Sequence, residues 1–324
     1  MSTRTSRDVG VGDLPGIRRL LVAGLGGLFW LWLLARWVTD RILAPGVNTS
    51  DREPFVPPGP LEAAATRAHG VAGGLDGPTA AAVNLWAGTL EFLAFGARSM
   101  PALATGARLT VFLTVLSILL GLVIAVPLAV ARTYGGRPLR GVALGYTELI
   151  RGTPLLAQLF VVYYGLSLSG PVRGFPGIGG PLPRAAVWVA VVGFTINSSA
   201  YQAEYIRSAL ESVDAGQLAA ARSVGLSRLE GIRHVVLPQG LRYAIPGWTN
   251  ELIYLVKYSS LAAFITVPEL FRRARSIASD SFRVLDIYLW VALLYLGLVL
   301  TLSLVMNRVE ARVAVPGVGT DGRD

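Results

Sequence analysis

The sequence predicts an all-α integral membrane protein with about six transmembrane helices, and two observations carry that prediction. Of its 324 residues, 53% are hydrophobic and 15% charged, and the mean hydropathy is +0.55. That is too apolar and too sparsely charged for an ordinary soluble domain. Six separate apolar segments also reach the roughly 20 residues that cross a hydrocarbon core of about 30 Å at 1.5 Å per residue. The formal charge of +9 does not point to nucleic acid, because all but one of the 29 basic residues are arginine and they fall mostly between apolar runs. Lipid headgroups and membrane topology account for that placement. The chain has no cysteine, which excludes disulfides, thiolate metal sites and cysteine nucleophiles.

The first apolar segment, Leu20 to Val38, follows a short N-terminus (1–19) ending in Arg18-Arg19. Such a charged start also suits a signal peptide, but no small-x-small cleavage pattern follows, and Trp30, Trp32 and Trp37 fit an interfacial belt. The segment reads as a retained anchor. Residues 39–106 open with Pro45, Pro54, Pro57, Pro58 and Pro60, an irregular exposed stretch. Its end, Ala80 to Ala97, is apolar but carries Asn84 and Glu91, which suits a helix lying at the interface. Were it a seventh span, the termini would lie on opposite sides.

The other five spans are Ala107 to Ala131, Leu149 to Ser169, Ala185 to Ile206, Leu241 to Thr266 and Asp286 to Met306, and residues 307–324 form a tail. With six spans both termini share one side. Placing them in the cytoplasm of a prokaryotic cell puts sixteen arginines inside and leaves fewer outside, four of them in the long 39–106 segment, where the positive-inside rule hardly applies. One conflict stays open: Arg272, Arg273, Arg275 and Arg283 fall in an outside loop. Pro127, Pro154 and Pro246 predict kinks or unwound turns.

Between the fourth and fifth spans lies a polar segment, 207–238, with the grammar of two short helices. Asp214 can cap the first, with Gln217 three residues later as in a capping box; Ala219, Ala220 and Ala221 favour helix, and Gly225 offers a left-handed stop. Ser227 and Glu230 repeat the box for a second helix. That helix carries Leu229, Ile232 and Val236 on one face and ends before Pro238. The plain alternative is a well-formed loop.

Spacing separates the two. Three residues at 219–221, Gly225, then Val235-Val236-Leu237-Pro238 after nine more resemble the EAA motif of binding-protein-dependent ABC transporter permeases, in which this elbow is the coupling helix seated in a separate ATPase subunit. Arg151-Gly152-Thr153-Pro154-Leu155-Leu156 with Gln158, Phe160, Tyr163, Tyr164 and Gly165 is similar to a segment of the polar amino-acid branch of these permeases. So are Ala200-Tyr201, Ala203-Glu204 and Arg207, Leu237-Pro238-Gln239-Gly240-Leu241-Arg242, Asn250-Glu251-Leu252, Lys257 to Leu261, and Val267-Pro268-Glu269-Leu270. The ordered series covers roughly Thr105 to Arg312. Two positions depart from it. Ala219 stands where the triplet usually begins with Glu, and Tyr258 stands where Asp usually follows the membrane Lys.

The resemblance implies a five-helix ABC type-1 importer core plus an N-terminal extra helix. It implies an ATPase-contacting surface at Glu211, Asp214, Gly216, Gln217, Ala219, Ala220, Ala221, Arg222, Gly225, Leu226, Leu237 and Pro238. It also implies two ATP-binding subunits that hold ATP and magnesium, a second permease (identical or paralogous) and an extracytoplasmic solute-binding protein. The chain itself has no phosphate-cradling Gly loop followed by Lys-Ser/Thr and no nucleophilic triad, and His69 and His234 have no metal-ligand spacing. It is therefore expected to be a transport subunit without enzymatic chemistry, cofactor or metal.

Charges inside spans are costly and mark candidate sites. Gln158, Asn197, Ser198, Glu204, Asn250, Glu251, Lys257 and Ser260 are the candidates for a translocation path or gate, against a plainer role as interhelical hydrogen-bonding glue. Glu204 and Arg207, three apart, can simply pair. Glu251 and Lys257 lie roughly 120° apart around a helix and so need other partners. An ion-coupled secondary transporter using Glu251 and Lys257 is the rival from another class, and a membrane scaffold without transport is the plain one.

Overall fold

The computed structural model describes residues 16–43, 52–180 and 182–313. The expected N-terminal stretch falls almost wholly outside them, as does the tail from 314. Every regular element among the described residues is helical.

Two units divide the chain. One comprises residues up to Ala107 together with Arg273–Val305, and the other comprises Arg108–Arg272 with the residues from Met306 on. In the first, α1 (Gly16–Val38) runs into a π turn at Thr39–Leu43, and α2 (Gly59–Ala72) leads to α3 (Gly77–Tyr134). The indole N–H groups of α1 are used inside this unit: Trp30 donates to the Thr301 hydroxyl at 2.8 Å and Trp37 to the Ala104 carbonyl at 2.8 Å. An interfacial belt would leave those donors to headgroups and water, so these two tryptophans serve helix packing instead. Arg36 and Asp40, 3% and 6% exposed, form a buried i,i+4 pair. Arg52 joins them at 3.1 Å from Asp40.

The helix expected at 80–97 and the span expected from Ala107 are one continuous element. At 58 residues, α3 is about 87 Å long, well beyond one bilayer crossing. Asn84 and Glu91, the polar residues that suggested an interface, instead bracket His69 of α2 at 3.1 Å each. Neither Pro101 nor Pro127 interrupts α3.

In the second unit, α4 (Arg137–Arg151) ends at Gly152-Thr153-Pro154, where α5 (Leu155–Phe160) begins. A single span from Leu149 to Ser169 is therefore not present. Proline lacks the donor needed to continue the ladder and pushes Thr153 out of the helical region. A π turn (Val161–Gly165) and the short α6 (Ser169–Arg173) follow. Next comes α7 (Ala185–Glu211), five residues longer than the expected span, so Arg207 and Glu211 belong to it. After α8 (Ala215–Ser223) and α9 (Arg228–Gly231), a π turn at Ile232–Val236 passes directly into α10 (Leu237–Tyr258).

Proline 238 thus does not end a helix. It follows the π turn directly, and the widened turn accommodates a proline whose missing N–H and ring an uninterrupted α-helix would exclude. Helix α10 passes through Pro246, gives way to a 3-10 turn at Ser259–Ile265, and is followed by α11 (Leu270–Ser281) and α12 (Val284–Val313). Among the described residues, α3 and α12 combine the length and apolarity to cross a membrane; Ala23–Val38 and Leu155–Gly165 are apolar but shorter.

Candidate functional site: the elbow and the polar core beneath it

Helix α7 is the centre of the second unit, packed by α10, α4, α5 and α6. Small residues let its neighbours approach: a Cβ on Gly121 would meet the Gln202 side chain at 2.6 Å, one on Gly193 would meet Leu159 at 2.6 Å, and one on Gly247 would meet Tyr205 at 2.9 Å. Close backbone approach at small residues is how helices associate where lipid removes the hydrophobic driving force.

At its C-terminal end α7 delivers the chain to the elbow. The Asp214 carboxylate accepts the Gly216 N–H at 2.5 Å and so caps α8. The Gln217 half of the expected box is absent, and its side-chain oxygen lies 3.5 Å from the Gln239 amide. Gly225 closes α8 at φ +92°, a region L side chains rarely adopt. At α9 the capping box is complete: Ser227 N–H donates to the Glu230 carboxylate at 2.8 Å and Glu230 N–H to the Ser227 hydroxyl at 3.3 Å. Hydrogen bonds from Ser227 hold the Glu230 carboxyl below its usual range, and His234 helps.

The two short helices lean on each other where side chains are smallest. A Cβ on Gly231 would meet Leu218 at 2.9 Å and Ala221 at 3.3 Å. Ala221 is accordingly buried within the elbow, while Ala219 and Ala220 face outward. Below the elbow, Val213 and Val236 join Ile206 and Leu210 of α7 with Ala125 and Ala129 of α3 in one apolar cluster. The Arg228 guanidinium ties α9 to the last carbonyl of α3, donating to Tyr134 O at 3.0 Å.

An ionic cluster reinforces the same place. Glu204 pairs with Arg132 of α3 and Arg207 of α7 and lies 3.5 Å from Arg151 of α4, and Arg207 also pairs with Glu211. The expected Glu204–Arg207 pair is therefore part of a tie between three helices, α3, α4 and α7. The expectation that Leu229 shares the inner face of Ile232 and Val236 fails: Leu229 is 71% exposed, whereas the other two are buried. The intervening π turn takes up an extra residue per turn and rotates α9 out of phase. With Val224 at 79% exposure, the elbow presents two large apolar side chains outward. Among the other surface candidates, Glu211, Asp214, Gly216, Gln217, Arg222, Gly225 and Pro238 are exposed and Leu226 and Leu237 half-buried.

The candidate path residues divide into two groups. Gln158 donates to the Ile150 carbonyl at 2.7 Å and to the Thr153 carbonyl and hydroxyl at 3.0 and 2.9 Å, and accepts from the Asn197 side chain at 3.1 Å. It thereby adds a donor to the carbonyls of Ile150 and Thr153 at the Pro154 break. Ser198, fully buried, accepts from Gln202 at 2.9 Å and is hydrogen-bonded to Glu251, itself 4% exposed. Gln202 also donates to Ile118 O at 3.1 Å and accepts from the Trp248 indole at 2.7 Å. Tyr146 meets Ser199 at 2.7 Å. Gln202 and Tyr146 escaped the sequence reading. An amide on the same α7 face as Ser198, four residues on, was the available signal for Gln202.

Asn250 and Lys257, by contrast, are exposed. The Lys257 ammonium lies 5.7 Å from the Tyr254 ring centroid, and Tyr254 stacks with Tyr258 at 5.9 Å. The residue that departs from the family pattern, Tyr258, thus extends an aromatic face beside Lys257. The Ser260 hydroxyl donates back to the Lys257 carbonyl at 2.9 Å.

A helical unit built around one long polar-cored helix and carrying a firmly seated elbow has the make-up of a membrane subunit. Residues 117–315 match the family of binding-protein-dependent transport system inner membrane components, and the chain belongs to it. It is 38% identical over 216 residues, 67% of this chain and 91% of the relative, to a protein of Bacillus subtilis (strain 168) named a probable amino-acid ABC transporter permease. It is 38% identical over 218 residues, 67% of this chain and 95% of the relative, to the glutamine transport system permease of Escherichia coli (strain K12). Among solved structures it resembles a chain of a crystallised amino acid ABC transporter with histidines, at TM-score 0.58 and 34% identity, covering 68% of this chain and 98% of that one. A chain of the inward-facing MetNI methionine ABC transporter shares the fold at TM-score 0.57 and 20% identity, over 67% of this chain and 98% of that one.

Proposed function

We propose that the chain is the permease subunit of an ATP-driven ABC importer that moves a polar amino acid by alternating access. The observation that carries this reading is the elbow: held from below by the Glu204 cluster, by Arg228 and by an apolar core, it turns Ala219, Ala220, Val224 and Leu229 outward. A short helix fixed to its bundle in this way transmits rigid-body motion from a docked partner. The relatives named as amino-acid permeases support the substrate class, with glutamate, glutamine or a basic amino acid as the range.

In this reading ATP and magnesium are bound by two separate ATPase subunits seated on the elbows of this chain and of a second permease, identical or paralogous. An extracytoplasmic binding protein delivers solute, and the termini face the cytoplasm of a prokaryotic cell. The ion-coupled alternative is not favoured. Glu251 is engaged with Ser198 inside the bundle and Lys257 faces outward, so the two form no coupled pair.

The test is co-purification. A tagged chain should bring down an ATPase, and Val224→Asp with Leu229→Asp should abolish that association and ATP-dependent amino-acid uptake in vesicles while leaving the chain folded. Uptake that persists without any ATPase and collapses with an uncoupler would reverse the assignment.

A further inference from the structure

At the other end of α7 from the elbow, about 40 Å away for a 27-residue helix, lies a second polar concavity. Its volume is about 510 Å³, and Arg173, Arg184 and Arg272 line it together with Tyr163, Ser169 and Thr266. That is ample for an amino acid. Among the described residues no carboxylate lines it. Neither Arg173 nor Arg184 has an ion-pair partner among the described residues, and Arg272 donates through one nitrogen to the Ala263 carbonyl at 3.1 Å. The nearest acid in sequence, Glu269, is fully buried and accepts the N–H groups of Phe271 and Arg272, so it caps α11 instead of facing the cavity.

The placement of these cations runs against local preference. Arg184 is the N-cap of α7, a position where a positive charge meets the positive end of the helix dipole. It makes no side-chain capping bond, and the first turn of α7 holds no acidic residue. The opening amides of α7, at Ala185 and Ala186, border the cavity without a capping side chain. Thr266 is held at φ +69° with its hydroxyl 3.2 Å from that of Tyr163. A left-handed non-glycine residue is conformationally costly and clusters at binding sites. Three arginines, an uncapped helix start and two hydroxyl-bearing residues line one space, and their common complement is an anion carrying several acceptor oxygens.

We infer that this cavity is an entry site for the side-chain carboxylate of an acidic amino acid, and that it biases the permease toward acidic over basic solutes. The inference rests on the amino-acid permease reading and narrows its substrate. On that reading the cavity lies on the side opposite the ATPase, where solute arrives. The two carboxylates of an acidic amino acid match the excess of donors, whereas a basic side chain would meet like charge.

The experiment uses the full-length chain in lipid nanodiscs and equilibrium binding of L-glutamate, L-glutamine and L-arginine. L-Glutamate should bind saturably, at least about tenfold tighter than the other two, and weaken with salt. Arg173→Gln with Arg184→Gln, both at exposed positions, should reduce that affinity at least about tenfold, whereas the paired Arg→Lys substitutions should largely retain it. Equal binding of all three amino acids, or an unchanged glutamate affinity in the double glutamine variant, would overturn the inference. So would loss of uptake in that variant without any glutamate binding to the chain, which would assign the arginines to an acidic face of the delivering protein. If the assembled complex imports another amino acid while glutamate never binds, the pocket inference fails and the permease reading stands. If no amino acid is imported at all, the permease reading itself fails.

Discussion

Ser227 shows how much one hydroxyl arranges. It receives the Glu230 N–H while its own N–H goes to the Glu230 carboxylate, so two amide donors at the start of α9 are satisfied reciprocally. Replacing it with alanine should cost about 1 kcal/mol of local stability, read as loss of amide protection confined to the elbow. The box is also pH-dependent. Because the folded Glu230 carboxyl sits below its unfolded value of 4.5, its stabilisation is complete above that value and disappears as pH falls through the lower folded one. Protection factors at Ser227 and Glu230 should hold steady from neutral pH down to about pH 5 and then fall with acid, and Glu230→Gln should abolish the acid step. This box was legible in the sequence because both partners lie within four residues. The Asp214–Gln217 box has the same spacing and forms only its Asp half, so spacing alone does not settle whether the second bond is made.

The element that decides the elbow's presentation is the π turn at Ile232–Val236. Its N–H of Leu237 reaches back to the Ile232 carbonyl, an i→i+5 bond that accommodates one residue more than an α turn. Removing the exposed His234 should take one residue out of this turn and rotate α9 by about 100° about the helix axis relative to α10. Leu229 would then leave the face proposed to dock the ATPase. The variant is expected to keep its helical circular dichroism and detergent stability yet fail to retain an ATPase on co-purification; unimpaired retention would show that the rotation is irrelevant to docking. Periodicity does not disclose this turn, because nine residues are too few to separate a 3.6-residue repeat from one interrupted by an extra residue. The α4–α5 break, in contrast, follows from Pro154 and is readable in sequence as a breaker. What was not readable is that Gln158 repairs it by bonding three groups at the end of α4 and in the break.

Across the molecule, the Glu204 cluster joins segments far apart in sequence, with one carboxylate serving Arg132, Arg151 and Arg207. Its side chain is 19% exposed, between the surface pairs worth about 0–1 kcal/mol and the buried ones whose disruption costs about 3–5 kcal/mol. Glu204→Gln leaves three like charges together and should lower stability by about 2 kcal/mol, measured as a reduced unfolding temperature of the purified chain in detergent. The sequence by itself determined the membrane character, the helical class, the family and the existence of the elbow, since each rests on composition or on short-range order: apolar run length, capping residues and a left-handed glycine. Apart from the breaks marked by Pro154 and Gly225, it did not determine where helices join or end. One element, Gly77–Tyr134, replaced an expected interfacial helix and span, and the segment expected to cross as Leu149–Ser169 is several short pieces. Only the tertiary structure decided which polar side chains bond to each other and which face outward. Gln158, Asn197, Ser198 and Gln202 find partners on other helices or across a break, and the three arginines of the far cavity come from three different elements. Such groupings depend on helix rotation and approach distance, which no local pattern encodes.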